Sequence, residues 1–131
     1  MPCLHRVHFP GMDLATIHSR LATSLLLFMV IAAVWNLIAA ARRQGVSPST
    51  WGILGIGEIL ALAQGAVGLT LYLGGDRPAR TVHLLYGLTA VLTLPAYYFI
   101  SRGRDDRTAS WVYGALCLFL AVAALRGMVT G

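Results

Sequence analysis

Four long apolar runs, separated by short polar turns, divide this chain almost from end to end. The first follows Asp13, a residue suited to cap a helix start, and runs to about Ala41, with its most apolar part at Leu21–Ala40. Arg42–Thr50, carrying Gly45 and Pro48, is a connecting loop. The second run is about Trp51–Leu73 and stops at Gly74-Gly75. Asp76 as cap and Pro78 in the first turn then predict a third helix over about 79–101. Pro95 lies inside it and removes one backbone hydrogen bond, so a kink is expected there. After the charged turn Arg102–Arg107 comes a last run, about Thr108–Met128. Each run approaches or exceeds the roughly 20 residues that cross a bilayer as a helix. Short connections make sequential helices antiparallel neighbours. The predicted fold is therefore all-α: an integral membrane, antiparallel four-helix bundle, up-down-up-down, forming one domain over residues 1–131.

Composition agrees. Hydrophobic residues make up 57% of the 131 positions and charged ones 11%, with a mean hydropathy of +0.71. A soluble domain carries about 25% charged residues, so lipid is the expected solvent and no soluble domain fits. The start of the chain lacks a basic segment leading directly into an apolar core with a small-residue cleavage site, so no cleaved signal peptide is expected. The tail Met1–Met12 contains Cys3, His5 and His8 at no structural zinc spacing. It reads as an interfacial segment, or as residues ahead of a true start at Met12. Cys117 falls inside an apolar run, far from Cys3, and reads as a small core residue rather than half of a disulfide.

The net charge is +5, and all ten basic residues are arginine. They flank the runs instead of forming a basic face, which argues against nucleic acid as a partner. The loops after the first and third runs hold Arg42, Arg43, Arg102, Arg104 and Arg107; the other side holds Arg6, Arg77 and Arg80, with Arg20 and Arg126 at helix ends. Counting loops and tails places both termini outside the cytoplasm, in a bacterial inner membrane; counting every arginine gives a tie. Trp51, Tyr97, Tyr98 and Trp111 mark an interface near the cytoplasmic side of that arrangement.

The candidate chemistry rests on two histidines. His18 stands near the start of the first helix and His83 near the start of the third. In an antiparallel bundle those helices are diagonal and run the same way, so the two imidazoles lie at one depth and can face each other. That is the arrangement of two axial ligands on one haem b. A porphyrin lying against a helix also needs a small residue one turn from the ligand, and Ala22 and Gly87 follow the two histidines by four. Haem propionates call for cations at the membrane edge, and Arg20, Arg77, Arg80 and Arg126 fall on that side. Tyr72 and Tyr86 are candidates for the border of such a site. The competing reading is a hydrogen-bonded histidine pair at a wet interface with no cofactor.

Glu58 and, about two turns on, Gln64 are polar residues inside the second run. An intramembrane carboxyl group is costly and often functional, which suggests a proton or quinone site. The alternative is a protonated side chain making interhelical contacts, as Gln64 and Asn36 also would. No nucleophile–base pair, phosphate loop or cysteine cluster is present.

The runs ALAQGAVGLTLYL and VHLLYGLTAV, joined by a proline-containing turn, resemble one half of haem A synthase, as does the stretch Ala15–Arg20 around His18. That family has two related four-helix halves, each pairing histidines from two helices. The resemblance covers about Thr16–Thr93 and implies His18 and His83 as paired haem ligands on the outer side. Ala15 stands where the family has an acidic residue, Ser19 splits its His-Arg pair, and only one half is present. A second haem site would need a homodimer or a partner. The haem therefore carries over and the haem-modifying activity does not. The layout is also similar to the four-helix haem anchors of respiratory complexes such as succinate dehydrogenase, at the level of fold.

The expected function is an integral membrane b-type haem protein passing electrons within a respiratory or photosynthetic complex. A haem-free accessory subunit of a larger membrane complex is the alternative. A haem- or quinone-modifying enzyme using Glu58 is a third reading.

Overall fold

The computed structural model describes residues 13–131. Within them the chain is all-helical, with α1 at Leu14–Ala41, α2 at Pro48–Leu73, α3 at Val82–Ile100 and α4 at Arg107–Thr130. All four are long and apolar enough to cross a membrane. Cys3, His5, Arg6 and His8 lie outside the described residues.

Local chemistry sets three of the starts. The Asp13 carboxylate accepts from the Thr16 N–H at 2.8 Å, and Asp106 accepts from Ala109 at 2.9 Å. Ser47 Oγ accepts from the Thr50 N–H at 3.2 Å. With Pro48 as its first residue, α2 begins at 48 rather than 51: a proline there gives up only an N–H that would have had no helical partner.

The start of α3 differs from expectation. Asp76 does not cap it; its N–H reaches back to the Leu71 carbonyl at 3.0 Å, beside a Gly75–Tyr72 bond of 3.2 Å. With Gly75 at φ +97°, this is the left-handed closure that ends α2. The chain then stays irregular until Thr81, which caps α3 without a side-chain bond. Within that stretch the Arg80 N–H donates to the Thr130 carbonyl at 3.2 Å, tying the turn to the end of α4.

α1 and α3 end with the same closure as α2. Gln44 bonds back to Ala39 at 2.8 Å and Gly103 to Tyr98 at 2.9 Å. The left-handed residue in these two motifs is an arginine, Arg43 at φ 60° and Arg102 at φ 54°. A side chain in that region costs about 1–2 kcal/mol relative to glycine.

The helices pack in the ring order α1–α2–α3–α4, and α1 and α3 stand diagonally with no close approach of their backbones. The α1–α4 seam is the closest. A Cβ on Gly114 would come within 2.6 Å of the Leu37 side chain, and Ala32, Ala33, Asn36 and Ala40 are buried opposite Ala109, Ser110, Tyr113 and Cys117. The loops at residues 42–47 and 101–106 close this end together. Val46 donates to the Asp105 carbonyl at 2.8 Å, Ser110 Oγ to Gln44 at 3.0 Å, and Arg107 Nε to Ala40 at 2.8 Å. Beneath them, Trp51 and Tyr97 pack edge-to-face on buried Tyr113, with ring centroids 5.6 and 4.8 Å away. The exterior is apolar, with Ile100, Leu73 and Phe99 more than 70% exposed, as lipid-facing residues are.

Burial is uneven along the bundle axis. On α2 the fully buried residues are Thr50, Leu54, Gly57 and Ala61, none of them far past its midpoint. On α3, Leu94 alone among the described residues is fully buried, in its second half. Beyond these positions α2 and α3 contribute no fully buried side chain, so their side of the bundle loosens toward the opposite end.

Candidate functional site

That looser end holds both histidines. His18 is in the second turn of α1, and His83 is the second residue of α3. Their rings meet across the bundle diagonal with centroids 6.0 Å apart and planes at 67°. Both rings are half-buried.

His83 is oriented by the last turn of α4. Its Nδ1 lies 2.9 Å from the Gly127 carbonyl oxygen. A carbonyl can only accept, so Nδ1 carries the proton and donates. In a neutral imidazole the lone pair is then on Nε2. Thr130 Oγ1 stands 3.4 Å from the same nitrogen and gives its own proton to the Arg126 carbonyl at 3.0 Å. A backbone carbonyl on the distal nitrogen is the usual partner of a metal-ligating histidine.

His18 is held by shape. A Cβ on Gly68 of α2 would stand 2.9 Å from its Cε1, so the ring edge occupies the space a side chain there would take. The Gln64 backbone carbonyl lies near the ring, yet the buried Nδ1 has no hydrogen-bond partner. Gln64 Oε1 is a second buried polar atom without one, as is Glu58 Oε2 farther down α2. A buried polar atom left unpaired costs about 1–3 kcal/mol; Asn36 Oδ1 and Tyr113 Oη at the opposite end are unpaired as well, so such atoms occur at both ends of the bundle.

The remaining candidates fall around this pair unevenly. Ala22 is half-buried, one turn below His18. Gly87 is exposed, and nothing lies within 4 Å of the position its Cβ would take. The glycines in close contact with the imidazoles are Gly68, Gly127 and Gly131, on the even-numbered helices and at the chain end. Arg20, Arg77, Arg80 and Arg126 are all exposed at this end of the bundle. The Arg77 guanidinium stacks on the Tyr72 ring, 4.0 Å from its centroid, beside a shallow pocket of about 260 Å³ lined by Tyr72, Arg77, Pro78, Thr81 and Leu84. Tyr86 of α3 is half-buried.

The residues present suit a haem in three respects. Metal–imidazole bonds of about 2 Å place two rings on opposite sides of one ion with centroids about 6 Å apart; the observed 6.0 Å edge-on approach matches that spacing and is equally the spacing of a direct ring contact. His83 presents a free Nε2. Exposed arginines, Arg77, Arg80 and Arg126 among them, stand at the same end.

No protein-family model matches the chain, and neither a curated protein nor a solved structure does. The class that fold and composition define is an integral membrane four-helix bundle with a histidine pair at one end.

Proposed function

We propose that this protein is a membrane cytochrome of b type, with His18 and His83 as the two axial ligands of one haem b, passing electrons within a respiratory or photosynthetic membrane complex. The observation that carries the reading is the 6.0 Å approach of two imidazoles from diagonal helices at one end of the bundle. Haem, when bound, supplies a one-electron carrier whose potential follows ligand type, hydrogen bonding and burial. The chain's own residues do the rest. Gly127 keeps the His83 proton on Nδ1 and the ring in one orientation. Gly68 leaves room for the His18 ring. Arg20, Arg77, Arg80 and Arg126 offer their guanidinium groups to propionate carboxylates at the bilayer edge. The resemblance to half of a haem A synthase points the same way.

The proposed setting is a bacterial inner membrane, with the loops at 42–47 and 101–106 on the cytoplasmic side and the histidine end facing out. Haem titration of the purified apoprotein tests the central assignment. Wild type should bind one haem per chain, and His18→Ala and His83→Ala should each abolish six-coordinate binding while keeping helix content. Binding unchanged in both variants would overturn it.

A second reading, a haem-free accessory subunit, has one observation in its favour: α3 buries only Leu94 fully, leaving most of its surface for another membrane protein. It predicts co-purification with a large complex, no haem absorbance, and tolerance of both histidine substitutions.

A further inference from the structure

At the end of the bundle away from the histidines, two loops distant in sequence form one basic rim. Arg42 and Arg43 follow α1, while Arg102, Arg104 and Arg107 follow α3; all five are exposed. The Val46–Asp105 and Ser110–Gln44 bonds bring the loops together. Two of the five are already engaged: Arg104 pairs with Asp106 at 3.4 Å, and Arg107 donates to the Ala40 carbonyl while lying 6.0 Å from the Trp111 ring centroid. Arg42, Arg43 and Arg102 make no ion pair among the described residues.

Two of these three free cations sit where the backbone disfavours them. Arg43 and Arg102 occupy the left-handed position that closes α1 and α3, at φ 60° and 54°. Glycine is the residue that adopts this position without strain, and the equivalent closure of α2, at the other end, uses Gly75 at φ 97°. The chain thus places arginine at both such positions on one rim, at a local cost, and glycine at the third. The rim also lies at headgroup depth: it caps four membrane-length helices, next to Trp51, Tyr98 and Trp111.

We propose that Arg43 and Arg102, with Arg42 beside them, form a binding site for the phosphate of an anionic phospholipid headgroup. Guanidinium groups match phosphate oxygens in paired geometry, and a basic segment at a membrane surface attracts anionic lipid. The inference is independent of haem.

The test reconstitutes wild type, the Arg43→Gly/Arg102→Gly double variant and the Arg43→Lys/Arg102→Lys double variant into nanodiscs of phosphatidylcholine, alone or with phosphatidylglycerol. Thermal unfolding and the relative association of spin-labelled phosphatidylglycerol are read for each. Wild type should unfold at higher temperature in the anionic bilayer. The glycine variant, freed of backbone strain, should match or exceed wild type in phosphatidylcholine, yet lose the anionic increment and about fivefold in lipid association per arginine removed. The lysine variant should keep part of that association, as charge without the paired geometry would. The site is overturned if wild type shows no anionic increment, or if the glycine variant keeps it in full. A glycine variant less stable than wild type in phosphatidylcholine would also overturn it, because the arginines would then be serving the fold.

Discussion

His83 is fixed at one nitrogen and open at the other, an asymmetry the proposed haem ligation would use. The fixing group is a main-chain carbonyl, Gly127 O, which has no signature in a sequence. The glycine that matters to His18 was equally hard to pick out, because Gly68 is one of several small residues along α2 and only the tertiary approach of α1 singles it out. Gly87, four residues from His83 and marked by its spacing, meets nothing within 4 Å. The two positions therefore make a paired prediction. Gly68→Ala should force the His18 ring off its rotamer, at about 0.5–1.5 kcal/mol, and weaken haem affinity by the corresponding factor with helix content unchanged. Gly87→Ala, whose added Cβ meets no protein atom within 4 Å, should leave the apoprotein's stability within error and weaken haem affinity only through the porphyrin it would crowd. Titration of both variants by absorbance checks this.

At the scale of elements, most of the fold was readable. Apolar runs broken by Gly, Pro and Arg turns place four helices, and Asp13 caps α1 as expected; Ser47 and Asp106, inside stretches whose sequence reads as turns, cap α2 and α4. The exception is α3. Asp76 and Pro78 carry the residue types of a helix start, yet the Asp76 N–H completes the end of α2, and the Arg80–Thr130 bond holds the following turn against α4. Both are decided by backbone pairing that local sequence does not encode. Asp106→Ala should therefore destabilise the protein by about 1 kcal/mol, the usual value of a lost cap. Asp76→Ala, which removes no capping bond, should be close to neutral. Chemical denaturation of the two variants in one detergent makes the comparison.

For the molecule as a whole, the two ends of the bundle differ in character. The loop end is tightly closed by the α1–α4 seam, aromatic packing and cross-loop hydrogen bonds. The histidine end is looser, because α2 beyond Ala61 and α3 before Leu94 contribute no fully buried residue. This division was not visible in the runs themselves, which are apolar throughout; it follows from which faces the four helices turn to one another. The proposed orientation puts the open end outside the cytoplasm. In a background lacking Cys3, a membrane-impermeant thiol reagent added to intact cells should label Asp76→Cys, exposed at the histidine end, and spare Arg104→Cys. The reverse pattern would invert the topology while leaving the histidine geometry as it is.

The most direct test of the account is the reduced-minus-oxidised absorption spectrum of protein purified from membranes with an ample haem supply. Two axial imidazoles predict a low-spin, six-coordinate haem with a sharp α-band on reduction, present at one per chain and lost when either His18 or His83 is replaced by alanine. A colourless preparation, or a haem spectrum indifferent to both substitutions, would contradict the assignment.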